Sequence, residues 1–585
     1  MVPRTKTDFR DFSRESVFLR PEKIGSLPGV GGRSIFGPKK AMLIKTFCAT
    51  CIGIEAVTVT VEVDISLGVG IHLVGLPDSA VKESLLRVVT ALQANGFRIP
   101  GKRIVFNLAP ADIRKEGSSF DLAIAVGLIA ASEQRTFENL ESFVLLGELA
   151  LDGGIRPCRG VLPIAAHARE AGFKGCIVPA ANAPEGRDLE GIPVYGVATL
   201  SDVLEILDGS GDRGRFDITK PRAARQVLAD GGGRFSGGSP DKGGAATGVG
   251  VADSGAGAAE PIRHNDFCHI KGQEGARRGL EIAAAGGHNI VLIGPPGSGK
   301  TMMASCLPSI LPPMSREESL ETSKIYSVAG EHLAGPGLMK ERPFRSPHHS
   351  ASLVSLLGGG QRISPGEISL AHNGVLYLDE MVQFGRMSLD SLRQPLEEGR
   401  ITISRARYKS VFPAAFMLVA SMNPCPCGHH GDGTGRCNCT PSQIETYMAK
   451  VSGPIMDRID MHIFVRSVPA GSLMEKGLAE PSRAIAARVT AARLRQTARF
   501  AGSGVFTNAR MRNGDLRSHC AIDKSCEEFL GNAIVRLNLS ARAYSRILKV
   551  ARTIADLEGC DAIEIKHLAE AIQYRCLDRN SITEI

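Results

Sequence analysis

Tryptophan is absent from the 585 residues, and aromatic residues make up only 5%. Stacking of unpaired bases on an aromatic platform is therefore not the expected way for this chain to hold a nucleic acid. No window holds 18 uninterrupted apolar residues, so a membrane-spanning helix is not expected. The first 20 residues mix charged and polar side chains without an apolar stretch and do not read as a secretory signal. Fourteen cysteines are too dilute in a chain of this length for a disulfide scaffold. Most of them read as buried thiols in a reducing, cytoplasmic setting. The formal net charge of +8 is mild, and it permits nucleic-acid binding without demanding it.

Apolar residues supply 43% of the chain, enough for several packed domains at this length. Residues 1–41 form a polar Gly/Pro/Arg-bearing tail, either a flexible arm or a start assigned too far upstream. Residues 42–209 alternate strand and helix signals. Val57 to Ile65 and Ile104 to Leu108 read as strands, as do Phe143 to Leu151 and Gly175 to Pro179. Phe120 to Ala131 and Pro163 to Ala171 read as helices, and Asp78 is placed to cap a third. Residues 231–257 hold 11 glycines among 27 positions, too little apolar surface to offset the entropy of ordering. Residues 210–261 are therefore expected to be a linker. A second α/β block spans 262–474, with strands at Asn289 to Ile293, Gly374 to Leu378 and Phe416 to Ala420. Residues 475–585 read as helices and suggest a lid.

The strand ending at Ile293 runs into Gly294-Pro295-Pro296-Gly297-Ser298-Gly299-Lys300-Thr301 and then into a helix. That context is what a phosphate-binding loop requires. Glycines let backbone N–H groups turn onto phosphate oxygens, and the helix N-terminus adds its positive end. Lys300 suits the β- and γ-phosphates of ATP, and the Thr301 hydroxyl suits Mg²⁺. About 80 residues on, Val375-Leu-Tyr-Leu-Asp379-Glu380 delivers two carboxylates from a buried strand. Asp379 suits the Mg²⁺ water shell, and Glu380 suits the water that attacks the γ-phosphate. Asn423 ends the next strand, where an amide can hold that water or sense the γ-phosphate. Arg458, within Asp457-Arg458-Ile-Asp460, is placed to act as a finger on a neighbouring subunit's γ-phosphate, with a surface ion pair to Asp457 or Asp460 as the plainer reading. Arg542 opens a late helix and suits the same phosphate, with Arg546 one turn on as its rival.

Several longer strings carry a resemblance. These are Gly75-Leu-Pro-Asp78, Asn107-Leu-Ala-Pro-Ala-Asp112, Arg114-Lys-Glu-Gly-Ser-Ser-Phe-Asp121, Arg345-Ser-Pro-His-His349, Pro365-Gly-Glu-Ile-Ser-Leu-Ala-His372 and Asn423-Pro-Cys-Pro-Cys-Gly428. Together they resemble the YifB/ComM family of magnesium-chelatase-like AAA+ ATPases, from about residue 42 to the end apart from the linker. The resemblance implies an α/β fold: a P-loop AAA+ core with a C-terminal helical lid, preceded by an α+β Lon-protease-like (S5-like) domain. It also implies a homo-hexamer and, in the best-described members, a DNA helicase that drives branch migration in natural transformation. Ser119 falls at the position of the Lon nucleophile. Lon needs a lysine to take the proton, and that position here is Leu162, with only the permanently charged Arg159 nearby. Protease activity is not expected.

Cys425-x-Cys427 and Cys437-x-Cys439 lie nine residues apart, and two thiolate pairs can fill a tetrahedral Zn²⁺ site. One-residue spacing within a pair is tighter than usual, and His429 or His430 can substitute; a reduced cysteine-rich loop is the alternative. His348 and His349 are adjacent on an extended segment, which should point their rings to opposite sides and argues against one shared ion. Gly358 to Ile368 looks like the inserted loop of helix 2 in this AAA+ branch. Ile401 to Lys409 alternates at period two and suggests a β-hairpin with Arg405, Arg407 and Lys409 on one side, gripping a DNA backbone as in the related MCM-like branch. A solvated edge hairpin is the plainer reading. The expected protein is a ring-forming ATPase acting on DNA. Its rivals are a chelatase motor subunit, for which no integrin-like metal-binding domain is found, and a protein-remodelling ATPase, for which no aromatic pore loop is found.

Overall fold

A computed structural model of the chain describes residues 43–209, 212–219, 265–331, 337–360, 363–405, 408–467 and 479–575. The expectations for residues 1–41 and for the glycine-rich stretch 231–257 lie outside the described residues.

The first domain is built on a seven-stranded sheet. Strand β1 (Ile44–Ile52) and β2 (Glu55–Ser66) form a hairpin in register from Ile44 opposite Val63 to Ile52 opposite Glu55. Then come β3 (Gly70–Val74), β4 (Arg103–Ala109), β5 (Phe143–Leu145), β6 (Gly175–Pro179) and β7 (Val194–Val197). Their spatial order is β3-β4-β2-β1-β5-β6-β7. Valines 59, 61 and 63 alternate inward along β2, as a strand with one packed face requires. Helix α1 (Ser79–Ala94) starts where Asp78 accepts from the Val81 N–H at 2.8 Å, so the N-cap read from the sequence is present. Helix α2 (Asp121–Ala131) is buried along ten of its eleven residues, consistent with a sequence that is apolar on every face. Helices α3 (Val161–Glu170) and α4 (Leu200–Asp208) complete the layer.

Two sequence expectations change here. The stretch from Phe143 is one short strand, broken at Gly147, followed by a separate two-residue pairing of Glu148–Leu149 with Ile155–Arg156. The domain also runs past residue 209. Phe216 and Ile218 are buried, and Asp217 bridges Tyr195 at the end of the sheet, so 212–219 belong to the packed domain rather than to a linker. The sequence signal there was masked by the surrounding glycines and charges.

The second domain has an all-parallel five-stranded sheet: β8 (Ile290–Ile293), β9 (Phe344–Arg345), β10 (Val375–Leu378), β13 (Met417–Met422) and β14 (Met461–Phe464), in the order β9-β10-β13-β8-β14. Strands β8, β10 and β13 are buried at every residue, as continuous apolar runs in a doubly covered parallel sheet should be. Helices α5 (Glu274–Gly286), α6 (Lys300–Cys306) and α7 (Arg316–Ala329) belong to this domain. The hairpin lies between β10 and β13 as β11 (Arg400–Arg405) and β12 (Tyr408–Pro413).

Helices α8 (Ser482–Arg499), α9 (Lys524–Leu537), α10 (Ala541–Glu558) and α11 (Ile565–Gln573) follow. Helices α8 and α10 pack on α5, and α10 reaches the amino-terminal ends of β8 and β14 through Thr553 with His288 at 2.8 Å and Arg546 with Asp460. That is the end of the sheet opposite the glycine-rich loop.

The two α/β domains share a small core in which Ile54 from the β1–β2 turn meets Ile325, Tyr326, Leu370 and Phe412. Beside it the Ser327 Oγ accepts from the Leu162 N–H at 3.2 Å and donates to the Glu185 carboxylate at 2.5 Å.

Candidate nucleotide site

The glycine-rich loop leaves the carboxyl end of β8 and enters α6. Gly294 has no room for a side chain, because a Cβ there would stand 2.2 Å from the Val465 carbonyl oxygen. Gly297 and Gly299 adopt φ of +75° and +87°, the left-handed region that turns successive N–H groups inward. Lys300 Nζ donates to the carbonyls of Gly294 (2.7 Å) and Pro295 (2.9 Å) and to Asn423 Oδ1 (3.2 Å). Burial holds its pKa below that of a free lysine, while Asp379 and Glu380 pull the other way. Buried Ser298 Oγ has no hydrogen-bond partner. An orphaned hydroxyl in a loop of inward N–H groups fits a phosphate oxygen.

Thr301 Oγ1 donates to Asp379 Oδ2 at 3.2 Å, which joins the loop to the end of β10. Asp379 also accepts from Tyr377 OH (2.8 Å) and Ser421 Oγ (2.5 Å). Burial alone would raise the Asp379 pKa, yet these three hydroxyl donors bring it below the usual carboxylate range. The carboxylate stays ionised, as a cation ligand must. Glu380 takes a left-handed φ of +51°, its N–H donates to Ser421 Oγ at 3.0 Å, and its carboxylate accepts from Gln383. Lys300, Thr301, Asp379 and Asn423 are thus brought together, and the donor set fits a Mg²⁺-triphosphate. Tyr377 and Ser421 were not singled out from the sequence. Tyr377 could have been, because a residue two before Asp379 on a strand shares its face.

Arg458 and Arg542 lie elsewhere. Arg458 follows a short helix (Gly453–Met456) and precedes β14, at the amino end of the sheet. Its guanidinium pairs with Glu397 and donates to the Pro454 carbonyl at 2.6 Å; buried Nε has no partner. The ion pair expected with Asp457 or Asp460 is not formed, because Asp457 is taken by Arg542 at 2.7 Å and Asp460 by Arg546. Arg542 is therefore tied to the residue next to Arg458, and its side chain is 66% exposed.

Cys425, Cys427, Cys437 and Cys439 converge, with all four sulfurs within 4.8 Å of one another. The Sγ separations are 3.3 Å (Cys425 to Cys427), 3.6 Å (Cys427 to Cys437) and 3.8 Å (Cys425 to Cys437). A tetrahedral metal with bonds of about 2.3 Å has sulfur-sulfur edges of about 3.8 Å, so the set fits. A backbone N–H at His429, then the neighbouring Cys425, lowers the Cys427 thiol to about 6. His429 is turned to Asp432 at 2.9 Å instead of to the sulfurs. Gly428, in the same loop, packs against Pro296 of the phosphate loop: a Cβ on it would meet that ring at 2.7 Å.

One pattern reading is corrected. The rings of His348 and His349 do not diverge; their centroids are 4.0 Å apart, because the chain turns at this point instead of continuing extended. In the hairpin Arg405 pairs with Tyr408 and Ser404 with Lys409. Directly opposed residues share a face. Lys409 therefore shares the solvent face with Thr402 and Val411. Arg407 lies outside the described residues. In the first domain Leu162 is fully buried, and the Ser118 hydroxyl donates to Glu148.

A phosphate-cradling loop on a parallel β-strand, with an acid pair and an amide ending the neighbouring strands, defines a P-loop core of the AAA+ class. The family description "Magnesium chelatase, subunit ChlI" matches residues 266–473, "Subunit ChlI of Mg-chelatase" matches 61–182, and "Magnesium chelatase, subunit ChlI C-terminal" matches 479–575. The chain is 42% identical over 532 residues to uncharacterized protein YifB of Salmonella typhimurium, covering 90% of this chain and 96% of that protein. It is 43% identical over 530 residues to competence protein ComM of Haemophilus influenzae, with the same coverage of both. A shorter similarity, 28% over 202 residues, covers 32% of this chain and 34% of Lon protease 2 of Bacillus subtilis. The chain belongs to the YifB/ComM family of magnesium-chelatase-like AAA+ ATPases. Among the described residues no helix is long and apolar enough to cross a membrane.

Proposed function

We propose that the chain hydrolyses ATP at sites shared between subunits of a homo-hexameric ring and uses the energy to move DNA, at branched recombination intermediates. The observation that carries this reading is the separation of two half-sites on one chain. Lys300, Thr301, Asp379 and Asn423 meet at the carboxyl end of the sheet, whereas Arg458, held by Glu397, and Arg542, held by Asp457, lie at the amino end. Strands of four residues put those ends about 13 Å apart. An arginine so far from its own phosphate loop suits the γ-phosphate of the next subunit.

When bound, Mg²⁺ would draw charge from the transferring phosphoryl group, with Thr301 and Asp379 as its holders. Lys300 neutralises the phosphates. Glu380 accepts the proton of the attacking water, Asn423 orients that water, and Arg458 and Arg542 of the neighbour stabilise the departing charge. The first domain, residues 42–219, serves as an inactive Lon-like module in assembly or DNA binding, with the core at 262–474 and the helical domain from 475 onward. The four cysteines hold a structural Zn²⁺. Arg405, Arg407 and Lys409 make salt-sensitive contacts with the DNA backbone. The name of the competence relative supports the DNA reading, and the magnesium-chelatase descriptions support a second one, a motor that drives metal insertion with partner subunits.

The deciding experiment is the ATPase rate with and without single-stranded, duplex and four-way-junction DNA at low salt. Stimulation by junctions is expected. Absence of both stimulation and binding would remove DNA from the proposal and leave the chelatase-like reading.

A further inference from the structure

A cavity of about 760 Å³ opens at the amino end of the AAA+ sheet, opposite the phosphate loop. Its floor is formed where β8, β10, β13 and β14 begin, and its far wall is the segment 504–512 with helices α8 and α10. A volume of this order suits a drug-sized or nucleotide-sized ligand.

Its charge is unbalanced. Eight arginine or lysine side chains line it against five carboxylates. Each carboxylate is already held: Glu318 by Arg342, Glu397 by Arg458, Glu398 by Arg400, Asp460 by Arg546, and Glu321 by His372. Of the four remaining cations, Arg493, Arg510, Arg512 and Lys549, none forms an ion pair among the described residues, although Glu318 acts on Arg493 and Asp460 on Lys549 from farther off. Arg493 donates only to the carbonyls of Ala284 and Ala285 (2.9 and 3.1 Å), and Lys549 only to that of Ala509 (2.9 Å). Arg510 makes no side-chain hydrogen bond or ion pair among the described residues, although it feels Asp460 at a distance. Burial pulls all three below their ordinary pKa; Arg493, also pressed by Arg342, falls to about 10. Clustered cations removed from water without a paired acid are costly, and a bound polyanion is the simplest compensation. At the mouth Phe506 is 68% exposed, an aromatic face on which a base can stack.

We infer that this cavity is a second, non-hydrolytic nucleotide site, with the phosphates of a nucleoside di- or triphosphate held by Arg493, Arg510 and Lys549 and the base resting on Phe506. Each lining carboxylate is engaged by an arginine or a histidine, and among the described residues no glycine-rich phosphate loop opens onto the site, so it binds without cleaving. It does not depend on the DNA proposal, and it adjoins Arg458, the residue that the ring reading assigns to the neighbouring subunit's phosphate.

Equilibrium dialysis of the full chain with saturating labelled ADP tests it. Two ADP per chain are expected. Lys300→Ala should lose one, and Arg510→Ala combined with Lys549→Ala should lose the other while leaving the thermal melt near that of the parent. Phe506→Ala changes an exposed side chain; it should weaken ADP at the second site about 5- to 100-fold and leave tripolyphosphate binding there unchanged. A single ADP per chain, removed wholly by Lys300→Ala, overturns the second site and leaves the phosphate-loop reading intact. If the double variant does not fold, Phe506→Ala decides: two sites of unchanged ADP affinity overturn the nucleotide assignment.

Discussion

Lys300 Nζ donates to Asn423 Oδ1 at 3.2 Å, so the cation of the phosphate loop and the amide at the end of the neighbouring strand are already one hydrogen-bonded unit. Replacing either changes a shared geometry. Lys300→Ala should abolish measurable ATP hydrolysis. Asn423→Ala should lower kcat by about 10²-fold with a smaller change in KM, the pattern expected when an interaction matters most in the transition state. Steady-state kinetics on both variants separate the roles; a pure KM effect for Asn423→Ala would make it a binding residue.

Arg458 should act across a subunit boundary. Arg458→Ala is expected to reduce turnover by about 10³-fold or more while leaving ATP binding near normal. Mixing the Arg458→Ala chain with the Lys300→Ala chain should restore part of the activity, since some interfaces then pair an intact phosphate loop with an intact arginine. Activity that stays at the level of the separate variants would place Arg458 outside the shared site.

The cysteine loop predicts a metal. Elemental analysis of the purified chain should give one zinc per chain, and Cys437→Ser should lose it. Because Gly428 packs on Pro296, metal loss should also weaken nucleotide binding. A metal-free parent chain with four titratable thiols in this loop would replace zinc by a reduced cysteine turn.

His462 predicts a pH dependence of stability. Burial, then the nearby Arg575, hold its pKa well below the ordinary value, so the folded chain keeps the ring neutral. The unfolded chain takes up a proton below about pH 6.5. Stability is therefore fully present above that pH and falls as the medium is acidified, by up to about 1.4 kcal/mol per pH unit for this one group. Thermal melts at pH 7.5, 6.5 and 5.5 should show the decline, and His462→Asn should flatten it. An unchanged slope in the variant would assign the acid sensitivity to other groups.

Much of the core was legible because its signals are local. A buried strand, a glycine loop and a helix start lie within thirteen residues around Gly294, and the acids at 379 and 380 end a run of four apolar residues. What escaped was decided by partners distant in sequence. Glu397 carries no signal that it will hold Arg458, and Asp457 none that it will take Arg542. The end of the first domain was misplaced because Phe216 and Ile218 are two apolar residues in a polar stretch, and only the sheet they pack on reveals them.

The turn between the first two strands rests directly on the hairpin. A Cβ on Gly53 would stand 2.6 Å from the Val411 carbonyl oxygen, and Ile54 shares a small core with Phe412. Contact this close transmits displacement instead of absorbing it, since packed interiors have little slack. The amino-terminal domain is thus geared to the strand that carries Lys409. Were that strand to move, it would either carry the domain with it or break the packing at Ile54.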